Sequence, residues 1–119
     1  MLTFVCYPKC STCRKAQKWL DEHNIEYAFR DIREDKPNRE ELSQWFPMSG
    51  LPIRKFFNTS GQSYRNHPRK NDFPNLSAEE IIELLSEDGM LVKRPILVGD
   101  DFILVGFKES QWAEKLNIT

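Results

Sequence analysis

A mixed α/β fold is predicted for this chain, and three observations predict it. The chain opens on Leu2–Tyr7, an almost wholly apolar, strand-favouring run, followed by a helix-forming run and a second strand-like segment, which reads as β-α-β. It closes on two short apolar runs, Ile96–Val98 and Phe102–Phe107, joined by Gly99-Asp100-Asp101 and followed by a helical run, which reads as β-β-α. Between the halves the signals are helical or irregular. The expected architecture is a mixed four-stranded sheet in a single domain over residues 1–119, with a helical insertion at roughly residues 36–90.

The elements follow in order. Leu2–Tyr7 is apolar without a break and predicts a strand buried on both faces. The next run, Cys13 to Leu20, is rich in helix formers and puts Cys13, Ala16 and Leu20 on one face with Trp19 beside it. His23-Asn24 predicts the helix end, because Asn tolerates a left-handed cap. Ile25–Ile32 alternates as a strand does, and a helix of this length suits a parallel crossover. Asn38, with Glu40 and Glu41 behind it, predicts a capped helix to about Phe46, punctuated by Pro47 and Gly50. A short helix at Ile53–Phe57, a loop at Asn58–Ser63 and an irregular stretch at Asn66–Leu76 come next. Ser77-Ala78-Glu79-Glu80 has the form of a capping box and opens a helix ending near Asp88-Gly89. The last helix covers about Glu109 to Leu116.

Composition narrows the function classes. With 39% hydrophobic and 29% charged residues and a net charge of −1, the chain reads as a soluble globular domain. That balance offers no electrostatic footprint for direct nucleic-acid binding. No apolar run approaches a membrane span, and the start lacks the pattern of a secretory leader. All three cysteines fall within the first 13 residues, which suits a cytoplasmic protein with one functional dithiol better than a secreted disulfide scaffold.

That dithiol is Cys10-Ser11-Thr12-Cys13, at the passage from strand to helix, the sequence form of a thioredoxin-like redox site. Cys10 falls at the helix N-terminus, where unpaired N–H groups and the helix dipole favour a thiolate, and Lys9 and Arg14 add positive charge. Cys13, one turn in, faces the core. Cys10 is therefore the expected nucleophile and Cys13 the resolving thiol that closes a local disulfide. Ser11 and Thr12 are placed to hydrogen-bond a substrate oxyanion or to cap the helix. Half a zinc site is the competing reading, but no second C-x-x-C or H-x-x-H follows, so no metal is expected. Cys6 reads as a small core residue.

Beyond single motifs, the chain resembles the family that holds ArsC-type arsenate reductases and Spx-type redox regulators. The resemblance runs over nearly the whole chain. It rests on Tyr7–Ala16, on Asn58-Thr59-Ser60-Gly61 with Tyr64-Arg65, and on Leu91–Ile96 followed by Val105-Gly106-Phe107. It implies a thioredoxin/glutaredoxin-like fold with an inserted helical lobe, a reactive cysteine at Cys10, and a cis Arg94–Pro95 bond that brings Arg94 beside it. Pro95 would then shape the substrate face. Arsenate reductases of this family bind their oxyanion with several arginines; Arg94 matches one, while Asn58 and Gly106 stand at the other two, with Arg65 a candidate substitute. They also carry Ser or Thr where Cys13 stands. Spx-type regulators keep both cysteines as a switch and bind the RNA polymerase alpha subunit, and Gly50 is the candidate for the glycine that family uses in the contact. The resemblance thus implies a thiol or disulfide protein partner or glutathione, with glutathione, glutaredoxin or thioredoxin as reductant and no bound cofactor. A redox-switched polymerase regulator and a glutaredoxin-linked arsenate reductase are the alternatives.

Overall fold

The structure is a computed structural model, and it describes residues 1–118. Four strands form one mixed sheet in the order β2-β1-β3-β4: β1 (Thr3–Cys6), β2 (Ala28–Asp31), β3 (Ile96–Val98) and β4 (Ile103–Val105). β1 runs parallel to β2 and antiparallel to β3, and β3 pairs antiparallel with β4. The helices are α1 (Ser11–Glu22), α2 (Arg39–Ser49), a single turn α3 (Gln62–Arg65), α4 (Ala78–Glu87) and α5 (Glu109–Lys115), with 3₁₀ turns at Ile53–Phe56, Lys70–Asn75 and Gly89–Leu91. This is the α/β, thioredoxin-like arrangement expected, with every element between β2 and β3 helical.

Strand periodicity divides the core into two layers. Phe4 and Cys6 of β1, Leu97 of β3 and Leu104 of β4 face α1 and α5, where they meet Cys13, Ala16, Trp19, Leu20 and Trp112. The intervening Val5, Ile96 and Ile103 face the other way, onto Leu42 and Trp45 of α2 and Ile81 and Leu85 of α4. β1 is therefore buried on both sides, which is why its sequence is an unbroken apolar run.

Among the departures from expectation, β4 is shorter at both ends (Ile103–Val105), α3 starts inside the expected loop, and β2 and α2 have shifted bounds with a clear physical cause. β2 starts at Ala28, not Ile25. Asn24 takes the left-handed conformation at φ 56°, its N–H bonds Asp21 O and the Ile25 N–H bonds Leu20 O at 3.0 Å, so Ile25 completes the C-cap of α1. Only at Ala28, whose N–H reaches Leu2 O, does the ladder with β1 begin. α2 continues through Pro47 to Ser49 and stops at Gly50 in the left-handed region (φ 68°). Pro47 falls in the last turn, where its fixed φ is helical and a single donor is lost. The capping box expected at Ser77–Glu80 forms, and the expected N-cap Asn38 also completes one with Glu41.

Arg30 ties the sheet to α2. Its guanidinium forks onto Glu41 at 2.6 and 2.8 Å, donates to the carbonyls of Asp35 and Lys36, and lies 5.8 Å from the Trp45 ring centroid. Hydrogen bonding to Arg30 holds the Glu41 carboxyl below its ordinary value of 4.5. A carboxylate whose folded pKa is lowered adds stability that is complete above the ordinary value and is lost as pH falls through the lowered one. Glu41→Gln is thus expected to cost about 2 kcal/mol near neutrality, by analogy with other charge-assisted pairs, and to flatten the acid limb of stability against pH. Urea unfolding across pH 3–7 checks both.

Candidate redox site

The strand-to-helix passage is a tight turn. The Cys10 N–H bonds Tyr7 O at 2.9 Å, and the Cys10 carbonyl accepts the first helical bond from Arg14 N. Cys10 is the N-cap of α1, and its side chain makes no capping hydrogen bond, which leaves the sulfur free at the end of the helix where the unpaired N–H groups lie. It is half-buried; Cys6 and Cys13 are buried, each 1% exposed, and all three are free thiols.

Cys13 sits one turn behind, against β1. The Tyr7 N–H donates to its Sγ at 3.4 Å. The adjacent Cys6 thiol and burial push the Cys13 thiol far above its ordinary value of 9.0, more than that N–H lowers it. One exposed-side sulfur thus stands in front of one that holds its proton.

Cys10 opens into a cleft of about 580 Å³. Four segments line it: the α1 end with Cys10, Ser11 and Thr12; Leu51, Lys55, Asn58, Ser60 and Gly61; Lys93 and Arg94; and Val105 to Lys108 with Gln111. The segment with Lys55 and Asn58 meets the one with Lys93 and Arg94 because Phe57 pairs with Val92 as an isolated antiparallel bridge, with Asn58 N bonding Leu91 O at 2.8 Å and Lys93 N bonding Phe56 O at 2.7 Å. That bridge carries Asn58, far away in sequence, to the rim beside Arg94.

Arg94 is held from two sides. Nη1 donates to Met90 O at 3.2 Å, the guanidinium lies 5.3 Å from the centre of the Tyr7 ring, and Nε is buried without a partner. The Arg94–Pro95 peptide is cis. Pro95 is buried, and its carbonyl accepts the Gly106 N–H at 2.8 Å, so it shapes the cleft from beneath without lining it. Arg65 lies outside the lining: it is exposed on α3 and its guanidinium donates to Ser60 O. Arg14 turns back to Pro8 O at 3.0 Å, and neither it nor Lys9 lines the cleft. The sequence alone does not mark Lys55, Lys93, Lys108 or Tyr7 as site residues. The lysines carry no spacing signal, and Tyr7 looks like one more strand residue until Arg94 is seen over its ring.

Comparison with known proteins decides the family. A model of the ArsC family matches residues 6–115. The chain belongs to the ArsC family. It is 50% identical to the uncharacterized protein YusI of Bacillus subtilis, over 95% of this chain and 96% of that one. It is 33% identical to the regulatory protein MgsR of the same organism, over 92% of this chain and 86% of MgsR. Among solved structures, an ArsC family-related protein from Bacteroides fragilis superposes with a TM-score of 0.92 at 53% identity, covering 97% of this chain and 96% of that one. In this ArsC-family chain, no group of three or more His, Cys, Asp or Glu side chains is arranged to hold a metal ion among the described residues.

Proposed function

We propose that the chain is a thiol–disulfide oxidoreductase in which Cys10 attacks and Cys13 resolves. The observation that carries this is the pairing of a cleft-facing sulfur at a helix N-terminus with a buried, protonated sulfur one turn behind it. The Cys10 thiolate attacks one sulfur of a substrate disulfide, forming a mixed disulfide and expelling the other sulfur as a thiolate. Cys13 then attacks Cys10 Sγ, its proton passing to the departing substrate thiolate, and the Cys10–Cys13 disulfide holds the two electrons' worth of oxidation. Glutathione, glutaredoxin or thioredoxin returns it to the dithiol. Arg94 offsets the negative charge spread over the reacting sulfurs, while Ser11, Thr12 and Asn58 offer hydrogen bonds from the cleft lining.

Trapping tests the reading. In Cys13→Ser the mixed disulfide cannot be resolved, so partners stay attached to Cys10 and are identified by mass spectrometry; an empty trap counts against it. If Tyr7 holds Arg94 in place, Tyr7→Leu lowers the rate of mixed-disulfide formation about fivefold, and Tyr7→Phe, which keeps the ring face, restores it to within about twofold. Stopped-flow reaction with a chromogenic disulfide measures both.

A second reading has one observation in its favour, the 33% identity to the regulatory protein MgsR. There the same disulfide would switch binding to the RNA polymerase alpha subunit. Pull-down of that subunit by reduced and oxidised protein separates the readings, and binding in neither state removes the second.

A further inference from the structure

The chain is close to neutral, with 17 basic and 18 acidic residues, yet the lining of the Cys10 cleft is charged in one sense only. Lys55, Lys93, Arg94 and Lys108 line it, with no Asp or Glu. None of the four belongs to an ion pair among the described residues; the arginine pairs that do form, those of Arg30, Arg39 and Arg69, lie elsewhere. The three lysines come from separate places: Lys55 from the 3₁₀ turn after α2, Lys93 from the approach to β3, and Lys108 from the N-cap of α5. They stand round a cleft whose volume is in the range that holds ligands of many atoms. Apolar Leu51, Val105 and Phe107 line the same cleft. Lysine ammoniums on flexible stems act as point charges that steer and select anions.

We propose that the cleft takes protein disulfides set in acidic segments, with carboxylates flanking the reacting sulfur pairing with Lys55, Lys93 and Lys108 while Cys10 attacks. This rests on Cys10 being the attacking thiol. An extended acidic strand in the cleft would meet charges supplied by three separate segments. Attraction of this kind acts mainly on the rate of encounter and weakens with salt.

The test uses the full-length Cys13→Ser protein and four mixed disulfides with thionitrobenzoate. Three are on peptides identical except for Glu, Gln or Lys flanking the cysteine; the fourth is on glutathione. The Cys10 thiolate attacks the peptide sulfur, thionitrobenzoate leaves with the electron pair, and its release gives the rate. The acidic peptide is expected to react about tenfold faster than the neutral one at low salt, with the advantage shrinking as salt rises. Reversal of all three lysines (K55E, K93E, K108E), in protein whose circular dichroism is unchanged, is expected to put the basic peptide first. Should that triple variant misfold, the single variants K55Q and K108Q are each expected to narrow the gap. Equal rates for acidic and neutral peptides would overturn the charge inference and leave the thiol reading standing. The glutathione derivative matching the acidic peptide would overturn the extended segment. No release from any of the four by folded protein would overturn the thiol reading and this inference with it.

Discussion

If Cys10 is the attacking thiol, Cys10→Ser is expected to lower thiol–disulfide exchange by about 10³-fold or more, and Cys13→Ser to leave a stable covalent adduct in place of turnover. The two outcomes follow from the different settings of the sulfurs. Cys10 is the only one of the three thiols in the cleft lining, so no other cysteine stands ready to replace it. Cys13 is 1% exposed against β1 and lies within a helical turn of Cys10, the placement that the proposed resolving step requires. A pH signature separates the steps. Because the Cys6 contact and burial raise the Cys13 pKa, Cys13 is a thiol below its ordinary 9.0 and its thiolate fraction grows with each rise in pH. Resolution of a preformed Cys10 mixed disulfide is expected to quicken about tenfold per pH unit through neutrality without levelling off by pH 9. Rapid acid quench and mass analysis of the adduct measures that rate apart from formation.

Trp112→Ala is expected to cost about 3–5 kcal/mol, a large share of the stability of a domain this size. The side chain is fully buried, lies edge-on to Phe4, Trp19 and Phe107, and its Nε1 donates to Gly106 O at 3.1 Å. Truncation opens a cavity between β1, α1 and α5 and leaves that carbonyl without its partner. Gly106, at φ 76°, and Phe107 are part of the cleft wall, so the change reaches the site as well as the core. Trp112→Phe keeps most of the packing but not the hydrogen bond, and is expected to fall between. Guanidinium unfolding gives the stability change. The rate of Cys10 reaction under conditions where each variant is folded shows how far the wall has moved.

Some of this was open to reading because the information is local. β1 is an apolar run because both its faces are covered, the C-x-x-C lies where that run meets a helix former, and Asn38, Ser77 and Asn24 mark helix ends through their own side chains or backbone preferences. The family could be named for the same reason: its motifs are contiguous. Reading failed where a residue answers to two elements. Ile25–Tyr27 alternate like a strand, but Ile25 is taken by the cap of α1. Pro47 looks like a stop, and the helix passes it because only its last turn remains. Across the expected loop at Asn58–Ser63 and the irregular stretch at Asn66–Leu76, a helical turn and a 3₁₀ turn are set by tertiary packing of Phe57, Tyr64 and Phe73 on one another.

The order of strands and helices, the apolar faces, and the placing of Cys10 ahead of Cys13 were determined by the sequence alone, since each depends on neighbours within a turn or a strand. The charge of the site was decided only by the tertiary structure. Lysine has no preferred spacing and tolerates most surface positions, so nothing local assigns Lys55, Lys93 or Lys108 to a common site, even though Lys93 stands in the Leu91–Ile96 motif. The Phe57–Val92 bridge and the β3–β4 hairpin bring the three to one rim, and contact with Tyr7 and Met90 holds Arg94 among them.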